Sequence, residues 1–170
     1  MKALVALPIL LFAVAAYAQN PSDAQIAQIV VTANQVDIDA GKLAESKATN
    51  PDVKAFARQM VTDHSGVNKQ ATALVKKLHV KPEPSDTSKS LAQGGKDNVA
   101  KLKGMKKGPE FDKAYIDHEV DYHQAVLDAM DKTLVPSAQN AELKDLLVKV
   151  RPAFVAHLDH AKMIQSKIGK

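Results

Sequence analysis

The sequence predicts an all-α fold, an antiparallel four-helix bundle, and three observations carry it. Four stretches of roughly 25 residues repeat apolar side chains at helical spacing, no stretch alternates with the two-residue period of a strand, and proline or glycine punctuates the joints. Two joints are short and one is long. That pattern predicts two helical hairpins joined by a crossover segment between helices two and three.

The first helix is expected over 23–47, opened by Ser22 or Asp23 as a cap after Pro21. Its inward stripe reads Ile26, Val30, Ala33, Asp37, Ala40, Gly41 and Ala44, with one carboxylate among apolar or small residues. Asn50 can cap the second helix, and Pro51 suits its first position. This helix is expected over 51–79, with a stripe of Val53, Ala57, Met60, His64, Val67, Ala71, Leu74 and Leu78. The crossover, 80–109, begins at Lys81-Pro-Glu-Pro-Ser85 and holds a short, weaker helix around Ser88 to Lys103, bounded by Gly94-Gly95 and Lys106-Lys-Gly-Pro109 and more mobile than the rest. The third helix, 110–134, aligns Ile116, Val120, His123, Leu127, Met130 and Leu134 within roughly 40° of one another. After the turn at Val135-Pro136-Ser137, the last helix is expected over 140–168, with Leu143, Leu147, Val150, Phe154, His157, Ala161, Ile164 and Ile168 facing inward. Pro152 should kink it a little more than one turn before His157.

The chain opens like a secretory leader: Lys2, an apolar run from Ala3 to Ala15, and the cleavage pattern Ala16-Tyr17-Ala18. Residues 1–18 are therefore expected to be a signal peptide and 19–170 a single domain, periplasmic or otherwise exported, soluble after cleavage. The run is short for a membrane span and no cysteine follows it, so no transmembrane or lipid anchor is expected. Cysteine is absent throughout, which excludes thiol chemistry and leaves nitrogen, oxygen or thioether ligands for any metal. Lys and Arg number 23 against 19 acidic residues, and few aromatics are interleaved with them, so no nucleic-acid partner is expected. No Ser-His-Asp arrangement, glycine-rich phosphate loop or pair of carboxylates facing a cleft stands out, and the sequence assigns no catalytic residue.

Each of the four stripes carries one polar residue near its midpoint: Asp37, His64, His123 and His157. Midpoints of neighbouring antiparallel helices lie at one height, so these side chains should meet in one layer of the core. Left without partners, each would cost about 1 to 3 kcal/mol. Three imidazoles and a carboxylate match a four-coordinate divalent metal, zinc first, copper or iron next. Asp63, Glu119 and His160 lie at the stripe edges: Asp63 and Glu119 fit partners that orient the ligands, extra ligands or ordinary boundary residues, and His160, three residues after His157, fits a shared metal or exposure to solvent. Met60 and Met130 could add a thioether, which would favour copper(I), or simply fill the core. His79, His118, Asp121 and Asp159 fall on the surface or at helix ends. The alternative reading is a metal-free structural or interaction module of the cell envelope, in which the polar layer only fixes helix register.

On these residues the chain resembles a bacterial exported family catalogued as domain of unknown function 4142, whose members are also labelled outer membrane proteins. The resemblance rests on Asp37-Ile-Asp-Ala-Gly-Lys-Leu-Ala44, on Val53 to Asn68 with its Asp63-His64-x-x-x-Asn68 element, on Phe111-Asp-Lys-Ala-Tyr115 with His123 downstream, and on Pro152 followed by His157. It implies a ferritin-like bundle and places Asp63, His64, His123 and His157 in the family's pattern, without supplying an activity. The family usually has Glu at the position of Asp37, which puts in question whether this shorter side chain reaches the histidines. The paired Glu-x-x-His elements of di-iron bundles are missing, so a dinuclear oxygen-activating site is not expected.

Overall fold

The computed structural model describes residues 20–168. The leader expected at 1–18 lies outside them, as do Gln19 and the last two residues. The described residues are helical throughout, with no strand. Helix α1 (Asp23–Lys47) starts with a capping box in which Ser22 accepts from the Gln25 amide and the Gln25 side chain accepts from Ser22. A three-residue link leads to α2 (Pro51–Lys77), where the Asn50 side chain accepts from the Asp52 and Val53 amides. Helix α3 (Asp86–Gly104) is opened by a Ser85/Ser88 box. Helix α4 (Pro109–Ala129) continues through a π turn at Met130–Leu134 into the short α5 (Val135–Ser137), and α6 (Ala141–Ile168) closes the chain.

Three boundaries differ from the sequence reading. The second helix stops at Lys77, because His79 takes a left-handed φ of 53°. The crossover helix is longer and runs through Gly94-Gly95 without a break. Gly95 is there for proximity: a Cβ at this position would stand 2.5 Å from Val36 Cγ2, so only glycine lets α3 lie this close to α1. The 110–134 stripe is not one regular helix but α4 plus the π turn, which inserts an extra residue and still buries Met130 and Leu134.

The apolar stripes of α1, α2, α4 and α6 share a core divided into two clusters. One joins the first half of α1, the second half of α2, the end of α4 with its π turn, and the first half of α6 through residues such as Ile26, Val67, Leu127 and Leu147. The other joins the opposite halves through Ala44, Phe56, Tyr115 and Ile164, with Leu102 of α3. Thus α1 and α6 run one way and α2 and α4 the other, with α3 returning the chain along α1 between them. Asp37, His64, Glu119 and His123 lie between the two clusters in sequence, His157 sits at the end of the first cluster's stretch of α6, and all five are buried. No helix among the described residues is long and apolar enough to cross a membrane.

Candidate metal centre

Asp37 on α1, His64 on α2, Glu119 and His123 on α4, and His157 on α6 face inward because each replaces or borders an apolar residue of its stripe. None is more than 2% exposed. One nitrogen from each of His64, His123 and His157 lies within 4.8 Å of the other two, and a second triad of Asp37, Glu119 and His123 shares His123 with the first. Asp37 Oδ2 stands 2.8 Å from His64 Nε2 and 3.5 Å from His123 Nε2. The aspartate therefore reaches two of the imidazoles despite its length.

The outward hydrogen bonds of the imidazoles define their tautomers. Asn34 Nδ2 donates to the Val30 carbonyl at 2.7 Å, which leaves Asn34 Oδ1 to accept from His64 Nδ1 at 2.7 Å. His123 Nδ1 donates to the Glu119 carbonyl at 3.0 Å, and His157 Nε2 donates to Asp63 Oδ2 at 2.9 Å. A neutral imidazole has one N–H, and each of the three spends it on a partner outside the cluster. The remaining nitrogens, His64 Nε2, His123 Nε2 and His157 Nδ1, are buried with no hydrogen-bond partner, as are both Asp37 oxygens and Glu119 Oε2. His64 Nε2 approaches Asp37 Oδ2 to 2.8 Å, a distance at which a proton on that nitrogen would pair it with the carboxylate. In these tautomers the approach sets one lone pair against another. Orphaned lone pairs on several helices, each ring held from behind by an acceptor, are what a cation requires.

Burial alone would push Asp37 up, but the imidazoles, His64 foremost, outweigh it and hold the carboxyl below its ordinary 3.8. Burial pushes His123 down from 6.5 to about 4, against the pull of Asp37. Burial lowers His157 as well, despite Asp63. Glu119 is driven well above 4.5 by burial and then by the charge of Asp37, and Tyr115 well above 10.0 by burial and then by Glu119. A metal-free cluster at neutral pH thus holds the Asp37 carboxylate, a Glu119 carboxyl whose hold on its proton is strengthened, and uncharged imidazoles at His123 and His157.

Apolar walls close the cluster. The Phe154 ring lies 5.0 Å from that of His64 and 6.1 Å from that of His123, and Tyr122 lies 6.1 Å from His123 with its hydroxyl donating to the Ala33 carbonyl. Only Asp63 opens outward, with 41% of its side chain exposed.

Of the stripe-edge residues, Asp63 touches His157, and Glu119 stands among the potential ligands. His160 joins neither triad and pairs instead with Gln59 at 3.2 Å. Met60 and Met130 belong to opposite apolar clusters, so they do not converge on one end of the core. His118 is half-buried and stacks on Tyr122, where burial lowers its pKa, whereas Asp121, Asp159 and His79 are exposed. Sequence reading missed Asn34, although a buried amide one turn before Asp37 on the same face was a usable signal. It also missed Asp112, a buried carboxylate that accepts from Thr49 and Asn50 and ties α4 to the α1–α2 link.

The helices and the cluster they enclose define an all-α protein with a buried group of imidazoles and carboxylates that could hold a metal ion. Residues 12–164 match the family described as Domain of unknown function (DUF4142), and the chain belongs to that family. Comparison with curated proteins and with solved structures finds no match.

Proposed function

We propose that this protein is an exported, periplasmic metal-binding bundle of the ferritin-like four-helix type, serving metal buffering or stress tolerance. His64, His123 and His157 are the nitrogen ligands, Asp37 completes the set, and Glu119 is a further carboxylate beside it. Asn34, the Glu119 carbonyl and Asp63 orient the rings. The observation that carries this reading is the group of unpartnered, buried nitrogens and carboxylate oxygens turned towards one another. Zinc is the first ion to test, because it accepts nitrogen and oxygen donors without a geometric demand of its own, with copper and iron next. A divalent ion beside ionised Asp37 and Glu119 would leave the core without net charge, which favours a double-charged cation over a single-charged one. Two short joints, a crossover lying on α1 and paired helix directions support the ferritin-like topology. The leader-like residues 1–18 support export.

Metal analysis of protein purified without a histidine tag, after reconstitution with zinc, copper or iron, should find one ion per chain. His123→Ala should lose it. Zinc should raise the melting temperature of the wild type progressively with concentration, by about 2.7 kcal/mol of stability at a hundred times Kd, and leave that of His123→Ala unchanged. The competing reading, in which a proton on His64 Nε2 pairs it with Asp37 as a register lock, is favoured by their 2.8 Å separation. It predicts no stoichiometric metal and melting indifferent to chelator.

A further inference from the structure

A second feature lies beside the histidine cluster and is independent of any metal. A cavity of about 680 Å³ opens between α1, the start of α3, and α4 with its π turn. Its interior is formed by Ile29, Val30, Leu91, Met130, Leu147 and Phe154. Four of these, Ile29, Met130, Leu147 and Phe154, are 5% exposed or less, so the floor of the cavity is packed core, while its mouth opens among exposed residues such as Thr87 and Ala125. The volume falls within the roughly 300 to 1,000 Å³ of small-molecule sites.

The polar groups that reach this interior are already committed. Asn34 donates to Val30 and accepts from His64, and the Tyr122 hydroxyl donates to Ala33. The inner part of an occupant would find no free donor or acceptor from them and must be apolar there, since an unmatched polar atom would lose its water without replacement. Polar side chains gather at the other end, with Asn20, Gln25, Ser85, Thr87 and Thr133 on the lining. No lysine or arginine is among the lining residues, while Asp86 is, and its side chain is fully exposed. That carboxylate is paired with Lys89 at 3.8 Å, so a charged head of either sign would meet no unpaired counter-charge on the lining. The π turn contributes Met130, Thr133 and Leu134 to the same wall, and such insertions recur where a helix is shaped around a ligand.

We infer that this cavity binds a neutral single-chain amphiphile, an alkyl chain with an uncharged polar head such as a monoacylglycerol or a long-chain alcohol. The chain lies along the apolar interior and the head rests among the hydroxyl and amide groups of the mouth.

The test uses the full chain and the neutral fluorescent probe N-phenyl-1-naphthylamine. Fluorescence should rise to saturation at one probe per chain, and monodecanoylglycerol should displace it at least about tenfold more effectively than decanoate, its anionic counterpart. Ala129→Phe, which fills the interior, should weaken probe binding by about tenfold or more while circular dichroism shows unchanged helicity. Should that variant fail to fold, Ala125→Phe, placed where the lining side chain is exposed, should weaken binding in the same direction. Probe that fails to saturate, or that binds the folded variants and the wild type alike, as it would by partitioning into the apolar leader, overturns the inference. Preference for decanoate overturns the assignment of a neutral head. Neither result bears on metal content, which is measured separately.

Discussion

His123 accepts a proton in the folded protein only near pH 4, whereas an unfolded chain takes one up near 6.5. Between those values the unfolded state binds more protons, so the contribution of His123 to stability rises with pH and is lost on acidification, on the order of 3 kcal/mol across the interval. Glu119 acts with the opposite sign. Its folded carboxyl holds a proton well above 4.5, so stability falls as the pH rises past the value at which the unfolded carboxyl ionises. Metal-free Glu119→Gln removes the opposing effect and should gain stability between pH 4.5 and 6.5 more steeply than the wild type, as read from urea midpoints. Equal slopes would mean that Glu119 is not held protonated. Asp63→Asn keeps an acceptor for His157 but removes the one charge of the cluster's surroundings that faces water, so zinc loading followed by stopped flow should slow by about tenfold. The end point should be reached all the same. Asp37, His64, His123 and His157 were legible in the sequence because each breaks an apolar stripe at its centre. Glu119 was only half legible, since angle alone cannot separate a side chain at the edge of a stripe from one that bends into the core. Asn34 was hidden because its role depends on which neighbour its amide meets, and that neighbour is thirty residues away on another helix.

At the scale of elements, the contact of α3 with α1 depends on one missing methyl group. Gly95→Ala would force a Cβ to within 2.5 Å of Val36 Cγ2 and should cost about 1 to 3 kcal/mol by chemical denaturation. Gly66→Ala, on the exposed side of α2 with nothing within 4 Å, should gain about 0.5 to 1 kcal/mol. Glycine looks the same in both places along the chain. Glycine as a breaker signal therefore made Gly94-Gly95 a helix boundary, where tertiary packing makes Gly95 a point of contact. The π turn was likewise unreadable, because Met130 and Leu134 keep a buried stripe whether or not an extra residue is inserted between them. The long stripes of α1, α2 and α6 were legible nearly to their ends, since Ser22 and Asn50 carry a local mechanism for starting a helix that no distant partner can alter. Asp112 is the contrary case. Its bonds to Thr49 and Asn50 join elements more than sixty residues apart, and Asp112→Ala should cost at least about 2 kcal/mol by leaving that link without an acceptor.

The molecule as a whole is two apolar clusters with an ionisable layer between them, and that layer is difficult to explain as a source of stability alone. Replacing buried ionic groups by apolar residues of similar size is often neutral or stabilising, so a cluster of three imidazoles and two carboxylates needs another reason to be there. The proposed cation would supply one: it would bind the nitrogens left free by the outward hydrogen bonds and offset the charge of Asp37. The apolar cavity beside the cluster shares Phe154 with it, so one side chain bounds both features. The measurement that bears most directly on the central claim is X-ray absorption at the zinc edge on tag-free, zinc-reconstituted protein. The expected spectrum has one zinc per chain with a first shell dominated by imidazole nitrogen at about 2.0 to 2.1 Å, and the imidazole signature falls away in His64→Ala and His123→Ala. Zinc that fails to bind in stoichiometric amount, or that binds through oxygen alone and is indifferent to those substitutions, would contradict the account.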